Sequence, residues 1–131
     1  LRAQEEDRML ASSIGWILII SGIGTAAGGL AGLFFPRMTL QLVFAAKVTD
    51  GVTMFFVRHW GALLFVVCAL TAYAGYVPAS RLPILTAAII EKLAIVVLIF
   101  FGPVKRTVAM TAVAVMDGTL AVLFVAYLAG L

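Results

Sequence analysis

From Met9 to Pro36 the chain carries no charged side chain, and three further long apolar runs follow it. Hydrocarbon offers no water to bond a free N–H or C=O, so a crossing segment must be a helix or part of a closed barrel. A helix rising 1.5 Å per residue crosses in about 20 residues, a barrel strand in about 9–11. The runs are too long for strands. They select an all-α fold: an integral membrane four-helix transmembrane bundle in one domain, residues 1–131, with spans at about 10–35, 52–77, 82–101 and 107–130.

Composition agrees. The chain is 64% hydrophobic and 11% charged, with a mean hydropathy of +1.18, where a soluble domain is about half apolar and about a quarter charged. The lipid bilayer is thus the expected partner. A net charge of +3 with no basic run beyond Lys105-Arg106 is the signature of membrane anchoring and leaves no basic surface for nucleic acid. Cys68 is alone inside an apolar stretch and reads as a small buried hydrophobe. The chain opens on Leu1, which leads us to expect residues upstream. Leu1 to Arg8 lacks the positive character of a signal peptide, and the apolar run after it is too long for one, so a retained span is expected.

Pro36-Arg37 closes the first span. Trp60 to Val77 alone is short for a crossing, so the second helix is expected to begin near Gly51 and to carry Arg58 and His59 about two turns inside. A start at Trp60 is the alternative, with Arg58 and His59 among the headgroups. Pro83 sits in the first turn of the third span and Gly102-Pro103 ends it. Short loops force the last three spans to be antiparallel neighbours. Arg37 to Asp50 (RMTLQLVFAAKVTD) interleaves apolar and polar residues and reads as a short interfacial helix between spans one and two. Arg37, Lys47, Lys105 and Arg106 place the first and third connectors on the cytoplasmic side of a bacterial membrane.

Four charged residues interrupt the later spans: Arg58, Glu91, Lys92 and Asp117. Such groups are costly at depth unless paired, so they face a bundle interior or a wet cavity. Glu91 and Asp117 each lie about ten residues into helices of opposite direction, which puts both near the midplane. Lys92 follows Glu91 and projects roughly 100° away. Arg58 is therefore expected to pair with one acid and Lys92 with the other. His59, the single histidine, is placed to bond an acid. It lacks the partners of a metal site.

Gly24, Gly28 and Gly32 recur at intervals of four, a small-residue face suited to packing against a helix of the same bundle or of a second copy. Gly22-Ile-Gly24-Thr-Ala-Ala27 matches a loose dinucleotide fingerprint, but no strand precedes it and no cofactor is expected. Ser12, Ser13, Ser21 and Ser80 lack the context of an activated nucleophile, so no catalytic residue is assigned.

The run Arg58-His59-Trp60-Gly61, with Pro78 and Arg81, Glu91-Lys92 and Asp117-Gly118, resembles small bacterial four-span membrane proteins of no assigned function. That resemblance implies the fold and carries no site. Small multidrug transporters share the size and a membrane glutamate, but theirs lies in the first span, which is uncharged here. The leading expectation is a non-enzymatic subunit that self-associates or packs against a partner around buried ion pairs. The alternatives are a unit that binds or transports a small molecule or a proton, and an intramembrane enzyme acting on a lipid-soluble substrate.

Overall fold

The computed structural model describes residues 2–131, with the side chains of residue 3 and residues 6–11 outside the description. The side chains of part of the opening charged segment, that of Arg8 included, therefore lie outside the description. The chain is all-helical: α1 (Arg2–Phe34), α2 (Pro36–Phe44), α3 (Gly51–Tyr76), α4 (Arg81–Phe101) and α5 (Val108–Leu128). Four of these helices are long and apolar enough to cross a membrane, and α2 is the short segment between the first two.

Local chemistry sets the boundaries. Phe35 precedes a proline and leaves the helical region, at φ −127° and ψ 58°, because the proline ring crowds an α-conformation before it. Pro36 then occupies the first turn of α2, where a missing N–H costs nothing. Asp50 caps α3 by accepting from the Thr53 amide at 2.8 Å, and that bond holds its carboxyl below the usual range. Thr107 caps α5 in the same way, accepting from the Met110 amide at 3.1 Å. The same hydroxyl donates to the Val43 carbonyl at 2.6 Å. That single side chain ties α2 to the head of α5.

Ala45 ends α2 in the left-handed region, at φ 52° and ψ 33°. A Cβ is strained there by about 1–2 kcal/mol. Ala45→Gly should therefore raise stability by about 0.5–1 kcal/mol after the added freedom of the unfolded chain is subtracted. Equilibrium unfolding in mixed micelles reads this directly, and a loss of stability would contradict the assigned backbone.

The helices pack as two antiparallel pairs, α1 along α3 and α4 along α5, joined mainly by α3 against α4. The α1–α3 seam is built on Gly15, Gly22 and Gly29 facing Gly75, Cys68–Ala72 and Gly61–Phe65. A Cβ on Gly29 would lie 2.5 Å from the Phe65 amide nitrogen, and one on Gly22 would lie 2.6 Å from that of Ala72. Residues seven apart return to nearly the same side of a helix, so this stripe runs straight along the contact. Small residues at such a seam let two backbones approach within reach of each other's main-chain atoms.

α1 and α5 scarcely touch. Where the termini gather, Ile14, Leu18, Ala74, Leu85, Ala88 and Phe124 close the bundle in a dry cluster. At the other end Ile99, Met110 and Ala114 pack with Val43 and Phe44 of α2. Between those two plugs the bundle is open.

Candidate functional site

The opening is a cavity of about 960 Å³ between α1 and the α4–α5 pair, with α2 across one end. Its walls are mostly apolar, with Trp16, Leu64, Ile95 and Met116 among them. Two kinds of residue break that pattern. Ser12, Ser13, Ser21 and Thr25 line the α1 side, and the carboxylates Glu91 and Asp117 line the opposite side. The Ser21 and Thr25 hydroxyls donate to the Ile17 and Ser21 carbonyls, each at 2.6 Å. Their donors are thereby used and their oxygens remain acceptors.

The carboxylates share one cation. Lys92 Nζ donates to Asp117 Oδ1 at 2.8 Å and stands 3.8 Å from Glu91 Oε2. The Lys92 and Asp117 side chains are 4% and 8% exposed, that of Glu91 25%. Lys92 lies behind the wall while both acids reach it. Glu91 Oε2 is buried and has no hydrogen-bond partner. Carboxylate oxygens are expensive to bury without a hydrogen bond, and what this one has nearby is the Lys92 ammonium at 3.8 Å, while the side chain as a whole is 25% exposed in the cavity wall. With one ammonium for two carboxylates, the cluster holds one acid more than it can neutralise.

Lys92 was expected to meet one acid and Arg58 the other; in the structure Lys92 stands within ion-pair reach of both, and the pairing of Arg58 is corrected. Arg58 and His59 are exposed and neither lines the cavity. The His59 ring stacks on Phe55, 6.4 Å between centroids and 8° between planes. α3 does continue through both residues from Gly51, but the rotation of the helix points Arg58 towards α2. Lys92 reaches both acids because its stem is long enough to offset the turn between neighbouring positions.

The small-residue stripe also divides. Gly32 packs in the bundle, where an added Cβ would lie 2.9 Å from the Trp60 ring. Gly24 and Gly28 have open space where a Cβ would be and line the cavity instead. Residues two apart on a helix point nearly opposite ways, so Gly24 faces away from the seam that Gly22 occupies. Sequence reasoning missed the seam and the hydroxyl wall alike. The signal was present: Ser21, Gly24, Thr25 and Gly28 recur at three- and four-residue spacing, the least apolar face of an otherwise apolar helix.

Arg81, which the sequence offers only as part of a motif, clamps three helices. It donates to the Ala74 and Gly75 carbonyls at 2.8 and 3.1 Å and to the Tyr127 hydroxyl at 3.1 Å. The carbonyls are the orphaned acceptors at the end of α3, and a cation there also meets the negative end of the helix dipole. Its charge is thus used in closing the bundle away from the cavity. No group of three metal-ligating side chains occurs among the described residues.

Fold and site together define a small multi-pass membrane protein with a polar centre set in an apolar cavity. No family model matches the chain, and neither a curated protein nor a solved structure does.

Proposed function

We propose that the protein binds a small lipophilic molecule carrying a hydrogen-bond donor, which the cavity receives between α1 and α5 and Glu91 anchors. The observation that carries this reading is the Glu91 side chain, 25% exposed, in the wall of a mostly apolar cavity of about 960 Å³ and beside a lysine already bonded to Asp117. Ligand sites commonly combine apolar walls of about 300–1,000 Å³ with a few convergent polar groups. The excess acid favours a cationic head, an amine above all, over an anionic one. Lys92–Asp117 is the fixed part of the centre, which holds α4 against α5, and Glu91 is the part left for a ligand or a transported proton.

Self-association is the weaker reading. The face expected to support it is not available intact, because Gly32 is engaged inside the bundle and Gly24 and Gly28 line the cavity. An acid–base enzyme drawing on His59 is weaker still, since His59 is exposed and outside the cavity lining.

The test is saturable binding of a fluorescent long-chain primary amine to the protein in nanodiscs. Wild type should bind it more tightly than a carboxylic acid of equal length, and Glu91→Gln should weaken binding by about tenfold or more, the scale of a lost charged hydrogen bond. The thermal midpoint should be unchanged. Equal binding by wild type and Glu91→Gln would falsify the assignment.

A further inference from the structure

A second pocket, of about 420 Å³, lies at the junction of α1, α2 and α3 and does not include the carboxylates. Arg37 and Arg58 line it together with Phe34, Phe35, Met38 and Met54. Both arginines are exposed, and neither makes an ion pair or a side-chain hydrogen bond with a described residue. The contrast with Arg81 and Arg106 is informative. Arg81 spends its guanidinium on three helices, and Arg106 lies over the Phe100 ring at 5.1 Å. Arg58 stands seven residues into α3, about 10 Å along its axis. A guanidinium at that depth in a bilayer costs several kcal/mol unless an anion meets it.

A third donor converges on the same place. The pocket is lined by the residues that open α2, and no side chain caps that helix start. Helix N-termini favour anions through their free amides and dipole. Guanidinium groups fit phosphate oxygens two at a time, which ammonium groups do not. The apolar remainder of the lining suits the glycerol and first methylenes of a lipid chain.

We propose that Arg37 and Arg58 form a phosphate-binding site at the junction of α1, α2 and α3, independent of the Glu91 cavity, whose ligand is a phosphate ester such as the headgroup of an anionic phospholipid. The pocket takes the phosphate between two guanidiniums at the start of α2, and Met54 and the phenylalanines hold the group below it. Occupancy fixes α2 against α3, since the two arginines belong to those two helices.

The full chain in detergent micelles is titrated with phosphatidylglycerol, with a diacylglycerol of the same chains that lacks phosphate, and with inorganic phosphate. Thermal unfolding and native mass spectrometry are the readouts. Phosphatidylglycerol should raise the midpoint saturably and stay bound on release from the micelle, and diacylglycerol should do neither. Arg37→Gln and Arg58→Gln should each weaken retention by about tenfold, and Arg106→Gln should leave it unchanged. Both substituted side chains are exposed, so the fold tolerates the change. An equal, arginine-dependent response to inorganic phosphate alone would support the same site with free phosphate as its source. Equal response to the two lipids, or full retention in the double variant, overturns the proposal.

Discussion

Lys92→Met should destabilise the folded bundle by about 3–5 kcal/mol, because it strands buried charge. Lys92 is the only cation within ion-pair reach of Asp117 and Glu91 among the described residues. Asp117 is 8% exposed and its described partner is that ammonium. Removing the lysine leaves a carboxylate that is only 8% exposed and has no other described cation within ion-pair reach. Methionine has nearly the same length, so packing loss contributes little. The double variant Lys92→Met/Asp117→Leu removes the 2.8 Å pair and leaves of the cluster only Glu91, which is 25% exposed, so it should recover most of that loss, since a buried pair contributes little beyond what an apolar pair of equal volume would. Urea unfolding in mixed micelles measures all three proteins. A single-variant cost below about 1 kcal/mol, or a double variant no better than the single, would show that the pair is solvated rather than buried.

The same cluster shows where reading residues in order succeeds. Counting positions from the ends of two antiparallel runs put Glu91 and Asp117 at equal depth, and the structure joins their helices through Lys92. Depth is legible because the rise per residue is fixed and charge-free runs mark where each helix starts and stops. The ends were legible for the same reason, Pro36 and Gly102-Pro103 being unable to continue a helix unchanged.

Rotation about the axis is another matter. Arg58 lies at a depth from which a long side chain could reach towards an acid, yet its azimuth on α3 turns it to α2 and Arg37. Every lipid-facing position in such a chain is as apolar as the core, so the pattern that orients a soluble helix is absent. Glycine spacing was the usable substitute, and it had to be read at seven rather than four. The cavity itself is not encoded in any one segment. It follows from α1 and α5 meeting at the Ile14–Phe124 end while α2 occupies the other.

Gly28 and Gly29 are neighbours in sequence, and enlarging them should have opposite consequences. Gly29→Leu drives its side chain into the α3 backbone, because even a Cβ would lie 2.5 Å from the Phe65 amide nitrogen and 2.7 Å from the Gly61 carbonyl oxygen. Main-chain atoms cannot rotate aside. Ordinary overpacking costs about 1–3 kcal/mol, and a leucine forced against backbone belongs beyond the top of that range. The variant should unfold at much lower temperature or fail to accumulate. Gly28→Leu meets open space within 4 Å and gains helix propensity of about 1 kcal/mol. It should fold at least as well as wild type. Its side chain, however, projects into the cavity opposite Glu91 and Asp117, where Gly28 forms part of the wall. Binding of the long-chain amine should fall by about tenfold or more, the equivalent of about 1.4 kcal/mol. Gly24→Leu should behave likewise, for Gly24 lines the same wall with equally open space. Stable protein with lost binding at residues 24 and 28, beside lost protein at 29, is the pattern that only a cavity on one side of α1 and a close seam on the other can produce. A Gly28→Leu protein that binds the amine as wild type does would place the ligand elsewhere.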